Sequence, residues 1–440
     1  MASCILKPPS THPGSFLNLL RTPRLVETPP LPQCEFCIIV PVRNEADGIE
    51  TTLEALAHQT DLKGKSFDFR RYEVIVFANN CTDNSAAIVT QFARKNPNIV
   101  LHIVEKNLSP EESYIGRVRQ MLMDEAYRRL MRLGRLRGVI ASTDGDTQVD
   151  RTWVAATLAE IRNGADAVGG RIVTEKVDRH RLDPYTRACY LRAVGYNFLI
   201  SQLEAYLDPD PFDPLPRHYQ HMGASFAVTA QIYGRSGGLP AVQSSEDIAL
   251  YQRLMRVGAR FRHSLEVRVT TSARQVGRTD MGMANQLQKW ADMGQQKQAF
   301  LVESAGAIET RLRARRALRT LHDRIKTDRV FRIHEIVSSA QTLGISTDWL
   351  IKKLMRSQSF VMLFEEIEQR QQEEGIWQER WQPVPIENAI AELRFQVATL
   401  RSMPQTSSKT LPRKLALSSK SARRDRADIS RRVEPQETAV

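Results

Sequence analysis

The chain has 440 residues, with 62 Lys+Arg against 50 Asp+Glu and a formal net charge of +12. Its 42% hydrophobic and 25% charged content is that of a folded globular chain and excludes disorder throughout. Five cysteines are too few for a disulfide scaffold, and the basic excess raises a nucleic-acid or membrane-surface partner for testing.

Residues 1–33 are proline-rich without periodicity and read as a flexible N-terminal arm. The β-branched run Phe36–Val40, ending at Pro41, predicts a buried strand. A helix follows over Gly48–His58, then a strand at Tyr72–Phe77, a helix near Ser85–Lys95 and a strand at Ile99–Val104. The segment Glu112–Leu133 carries Val118, Met121, Leu122, Ala126 and Leu130 at helical spacing. A strand at Gly138–Ser142, a helix at Thr152–Arg162 and a strand at Ala167–Val173 continue the alternation. Such alternation implies an α/β fold with a mostly parallel sheet covered on both faces. From about Asp280 to Arg401 the pattern is helical, and residues 404–440 read as a disordered basic tail.

No apolar stretch reaches the roughly 18 residues that a bilayer span requires, and the N-terminus lacks the pattern of a secretory signal. The odd cysteine count fits a reducing cytosol, so a cytoplasmic location is expected. Cys34 and Cys37 form one CxxC at the first strand and read as buried strand thiols.

Ligands of such sheets bind at the carboxyl ends of the strands. There the chain places STDGDTQVD, with Asp144 and Asp146 flanking Gly145. Two adjacent carboxylates repel unless a cation lies between them, and a hard divalent ion answers that need. A solvated Asp-Gly turn is the plain alternative. The first strand runs into PVRNEADG and the second into ANNCTDNSA. In this order and spacing the three segments resemble family 2 glycosyltransferases of the GT-A fold, over about residues 35–290.

The resemblance implies a nucleoside-diphosphate-sugar donor and a GT-A domain at 34–290, followed by a helical region at 291–403. It puts Pro41, Arg43 and Glu45 on the first donor loop. Asn79 takes the place of an aspartate that contacts base or ribose, and Asp83 keeps the later acidic position. Gly116 and Arg119 match the donor-binding Gly and Arg, although an exposed helix arginine explains Arg119 equally well. Asp144 and Asp146 take the DxD role and hold Mn²⁺ or Mg²⁺ against the diphosphate. Gly223–Ser225 correspond to an acceptor-side segment or to a packed turn. In SSEDIALYQRL, Asp247 would be the general base of inverting transfer, with Glu246 orienting the acceptor. Carboxylates at a helix start also explain the pair. His263 is a candidate third metal ligand or a structural histidine, and Arg274 and Arg278 either close over the diphosphate or form a solvated basic loop.

The expected acceptor is a small molecule or a lipid. The alternatives are a nucleotidyltransferase on a similar sheet and a non-enzymatic basic membrane binder. The +12 resides in residues 1–33 (+2), 309–329 (+5) and 404–440 (+5), which leaves the rest neutral. Nucleic acid is thereby disfavoured as a partner. The Arg-rich helix at 309–329 and the tail remain as points of peripheral contact with an anionic membrane.

Overall fold

The computed structural model describes residue 19 and residues 23–274, 282–327 and 332–403. By internal contacts residues 1–398 form one unit and residues 399–440 a second. The first unit is built on an eight-stranded sheet. Its strands are β1 (Phe36–Val42), β2 (Tyr72–Asn79), β3 (Leu101–Lys106), β4 (Val139–Ser142), β5 (Thr147–Val149), β6 (Ala167–Thr174), β7 (Phe226–Thr229) and β8 (Phe261–Thr271), in the order β3-β2-β1-β4-β7-β6-β8-β5. Strands β3, β2, β1 and β4 run parallel, β7 is antiparallel to β4 and β6, β6 and β8 are parallel, and β5 closes the edge antiparallel to β8.

Every residue of β1 and β2 is buried. The sheet's period of two divides them between two cores. Phe36, Ile38 and Val40 join Ile49, Leu53 and Leu56 of α1 (Ile49–Ala57) and Trp153 of α4 (Trp153–Arg162). Cys37, Ile39 and Phe77 join Val118, Leu122 and Leu130 of α3 (Ile115–Arg132) on the other face. Val89 and Phe92 of α2 (Ser85–Lys95) join the first of these cores. The α/β class and the elements through residue 174 agree with the sequence expectation to within a few residues. Strand β5 and the partners of β8 had no counterpart in it.

The long helix α6 (Pro184–Leu207) follows the short α5 (Lys176–Arg181) and was not expected either. Asp183 caps it, accepting from Tyr185 N and Thr186 N at 3.0 and 2.9 Å, with Pro184 in its first turn. Helices α7 (Ala230–Arg235) and α8 (Glu246–Arg256) precede β8. The helical region then comprises α9 (Met283–Gln295), α10 (Ala305–Thr327), α11 (Ile333–Leu343), α12 (Thr347–Arg356), α13 (Phe360–Glu373), α14 (Ile376–Arg380) and α15 (Ile386–Ser402), with a two-residue ladder joining 301–302 to 384–385. The boundary expected at residue 290 falls inside α9. Leu287 and Trp290 of that helix pack on Leu182 and on Cys189 and Ala193 of α6. No helix among the described residues is long and apolar enough to cross a membrane.

Residues 23–33, read as part of a loose arm, lie against α3 instead. Leu25 N donates to Glu125 at 2.9 Å, and the carbonyls of Thr28 and Pro32 accept from Arg129 and Arg135. Prolines remove periodicity, but their carbonyls still accept hydrogen bonds from neighbouring arginines.

The buried CxxC sits beside a structural ion pair. The Cys34 and Cys37 sulfurs are 3.9 Å apart, and Cys37 donates to Glu73 at 3.1 Å. Arg129 grips both Glu73 oxygens at 2.7 Å, so a guanidinium already supplies the positive charge at this cluster. Burial pushes the Cys37 thiol up, which keeps it protonated. Both thiols are buried, Cys37 within β1 and Cys34 just before it.

Burial alone would raise the Glu73 carboxyl, but Arg129 and His102 bring it down to about 2. A depressed carboxylate contributes stability above its unfolded value of about 4.5, and loses it as the pH falls toward about 2. Glu73→Gln should therefore cost about 3 kcal/mol at pH 7. In urea denaturation the gap from the parent should narrow progressively below about pH 4.5. A pH-independent gap would contradict this account.

Candidate active site at the strand ends

The loops after β1 and β2 are locked together by side chains. Asn44 and Asn80 both take positive φ, 56° and 50°. Asparagine tolerates this left-handed conformation better than most residues. The Asn44 side-chain Oδ1 accepts from Thr82 N at 2.7 Å. Asp83 accepts from Ala46 N and Ser85 N at 3.0 Å, while Glu45 N donates to Ser85 Oγ at 2.8 Å. Asp83, expected on the donor, accepts with both oxygens and holds the first loop against the start of α2.

Arg119 is the hub of the site. It is buried on α3, not exposed. Its guanidinium reaches Asp144 at 2.9 Å, Glu246 at 3.0 Å, the Gly223 carbonyl at 3.0 Å and the Ser142 hydroxyl. Burial opposes its charge, but Asp144 and Glu246 more than reverse that and raise its pKa. Gly223 also donates its N–H to Asp247 at 3.0 Å, so the small-residue turn at 223–225 is part of the site.

A second arginine mirrors the first. Arg274 binds Glu45 at 2.8 and 2.6 Å and lies 3.1 Å from Asp146. Two arginines therefore face five carboxylates: Glu45, Asp144, Asp146, Glu246 and Asp247. Burial, with the Asp144 charge adding, pushes Asp146 up to about 6 against the pull of Arg274. Burial likewise pushes Glu246 and Asp247 up, with Arg119 opposing. Ionised, the set is short of positive charge by three, a deficit that a divalent cation beside Asp144 and Asp146 would relieve.

Helix α8 starts from Ser245 at φ 56°. For serine this is a strained conformation, one that surrounding structure must enforce. Gly116 shows how tight that surround is, because a Cβ there would lie 1.9 Å from the Val242 carbonyl oxygen. Gly116→Ala should push the 242–246 segment away and cost about 1–3 kcal/mol through overpacking. The check is a lowered melting temperature together with weaker nucleoside diphosphate binding.

Asn79 is buried, and its Nδ2 donates to the Ser113 carbonyl at 2.8 Å. Its Oδ1 has no hydrogen-bond partner among the described residues. A buried acceptor left unpaired costs free energy that a ligand N–H would recover. Arg43, exposed at 3.5 Å from the same carbonyl, stands beside it, and Pro41 is buried within β1.

His263 does not join the carboxylates. It pairs with Gly169 on β6, whereas Thr271, next to β5 and the Asp146 loop, pairs with Thr174. Five strand positions separate the two, about 16 Å. There His263 Nδ1 meets Asp213 at 2.7 Å, its Nε2 is 3.4 Å from His221, and Arg217 binds Asp213 at 3.1 Å. Burial, with His263 adding, pushes His218 and His221 down to about 3. The histidine is held by a buried carboxylate, which is the structural alternative. Arg278 lies outside the described residues.

Ligands of an α/β sheet bind at the carboxyl ends of its strands, which is where these carboxylates and arginines gather. The family model described as glycosyl transferase family 2 matches residues 37–215. The match covers less than half of the chain. Glycosyltransferase AglE of Haloferax volcanii is 28% identical over 136 residues, which cover 31% of this chain and 38% of that protein. The match thus spans well under half the length of this curated relative. Among solved structures, the mannosyltransferase PcManGT from Pyrobaculum calidifontis in complex with GDP-Man and Mn²⁺ aligns over 87% of this chain and 91% of its own, at 14% identity and TM-score 0.39. TarS 1–349 of S. aureus in complex with UDP aligns over 78% and 92%, at 13% identity and TM-score 0.39.

Proposed function

We propose that the protein transfers a single sugar from a nucleoside-diphosphate-sugar to a hydroxyl of a small-molecule or lipid-like acceptor, with inversion. The observation that carries this reading is the cluster of five carboxylates against two arginines at the strand ends, in a chain that this family's model matches in part. Asp144 and Asp146 would hold Mn²⁺ or Mg²⁺. The bound ion would supply charge neutralisation for the leaving diphosphate. Arg274, already docked on Glu45 and Asp146, is positioned to turn toward the same phosphates. The unpaired Asn79 Oδ1 fits an N–H of the donor base.

Asp247 takes the acceptor proton as the hydroxyl oxygen bonds to the anomeric carbon and the carbon–oxygen bond to the diphosphate breaks. Its orientation comes from the Gly223 N–H and from its own helix start, where Ile248 N donates to it at 2.8 Å. Glu246, fixed by Arg119, lines the acceptor side.

The test is a thermal-shift screen of nucleoside diphosphates with and without Mn²⁺, because a ligand of the native state raises its melting temperature. At least one nucleoside diphosphate should stabilise the protein, and only with the metal. Absence of any metal-dependent shift, or release of pyrophosphate from the sugar nucleotide, would overturn the reading.

A further inference from the structure

The arginines of α10 do not form a free basic face. Arg311 binds Glu303, Arg313 binds Glu309 at 2.7 Å, and Arg315 binds Glu204 and Asp208. Arg319 also binds Asp208, at 2.6 Å. These pairs consume most of the charge that the sequence concentrates there. One place keeps an excess. Arg316 makes a single hydrogen bond among the described residues, to the Leu207 carbonyl at 3.2 Å. A guanidinium carries five N–H donors, so most of its capacity is unused.

Arg316 faces a cleft of about 540 Å³ between α10 and α11. Arg313, Arg324, His334, Thr320 and Ser338 line it as well. On α10, positions 313, 316, 320 and 324 recur at three- and four-residue spacing and form one stripe. The one carboxylate in the lining, Glu335, is shared between Arg324 at 3.0 Å and Arg332 at 3.3 Å. One negative charge thus serves two cations, and Arg316 adds a third. None of the strand-end site residues borders this cleft.

We propose that the cleft between α10 and α11 is a second binding site, and that its ligand is a phosphate-bearing anion. A phosphate offers several acceptor oxygens to the guanidinium fork of Arg316 and to Arg324, and the exposed Ser338 hydroxyl supplies a further donor. Two sources present this chemistry: a soluble phosphate ester and the headgroup of an anionic lipid. The site is independent of the reaction assigned to the strand ends.

The experiment uses the full chain with a chelator present, so that no metal–diphosphate complex forms at the strand ends. Inorganic phosphate is titrated calorimetrically, and sedimentation is measured with phosphatidylglycerol and with phosphatidylcholine vesicles. The parent should bind phosphate, phosphatidylglycerol vesicles or both, and binding should weaken with salt. Arg316→Glu should reduce that binding by about tenfold or more, the loss of one charge-assisted contact. Its melting temperature should be unchanged, because Arg316 is exposed. Arg324→Gln should weaken binding in the same direction and guards against a folding defect in the first variant. Binding of phosphate without vesicles assigns a soluble ester, and binding of phosphatidylglycerol vesicles alone assigns the lipid surface. A parent that binds neither probe, or an Arg316→Glu protein that binds as the parent does, overturns the proposal.

Discussion

An Arg119→Leu protein should lose about 3–5 kcal/mol of stability, the cost of breaking a buried ion pair by removing one partner. The leucine fills part of the space but leaves Asp144 and Glu246 facing each other without their shared cation. It also releases the Gly223 carbonyl, whose own N–H orients Asp247. Stability and transfer should therefore fall together. Urea denaturation and a nucleoside diphosphate release assay measure the two losses. Arg119→Lys should recover only part of either, because an ammonium cannot span carboxylates on two sides as the planar fork does. A leucine variant with parental stability would mean that these carboxylates are screened by solvent, against the burial of the guanidinium.

Asp247→Asn should lower kcat by about 10²–10⁴-fold, the range for removal of a general base. The amide keeps one oxygen for the Gly223 N–H and gives up the bond from Ile248 N, so the fold and donor binding should change far less than in Arg119→Leu. That separation distinguishes the substitution from Arg119→Leu. The measurement is sugar transfer at saturating donor, alongside the metal-dependent thermal shift with nucleoside diphosphate. An Asp247→Asn enzyme that keeps the parental kcat would move the base elsewhere, with Glu246 the nearest candidate.

The proposed transfer would account for the carboxylates gathered at the strand ends of a chain of net charge +12. Diphosphate chemistry with a divalent cation needs negative ligands for the metal and positive groups for the phosphates. Arg119 and Arg274 are placed between carboxylates, which hold them at the strand ends. The remaining basic charge lies largely outside the sheet, and on α10 most of it is tied up in ion pairs.

Much of this was legible in the residues themselves. Strands β1, β2 and β4 are short apolar runs ended by Pro, Asn or Asp-Gly, and α3 has its apolar positions at helical spacing. These are local signals, set by backbone geometry and by burial on both faces of a sheet. They sufficed to place Asp144, Asp146 and the Glu246-Asp247 pair at element ends, and to bring the family to notice.

Local pattern does not carry pairing between distant segments. Arg119 meets Glu246 across 127 positions, and Arg274 meets Glu45 across 229. No periodicity encodes either contact, so Arg119 read equally well as a solvated helix residue. The same blindness affected His263, whose place before a strand suggested a metal ligand. Asp213, 50 positions earlier, accepts its Nδ1 proton and keeps it in a separate buried cluster. Asp83 stands among residues that resemble a donor loop, and the fold adds a second task, accepting from the backbone N–H groups of Ala46 and Ser85. The sequence alone thus determined which strands and helices form and which residue types stand at their ends. Only the tertiary structure decided which charges neutralise one another, because a buried ion pair is selected by the cost of desolvation at one point in space and not by distance along the chain.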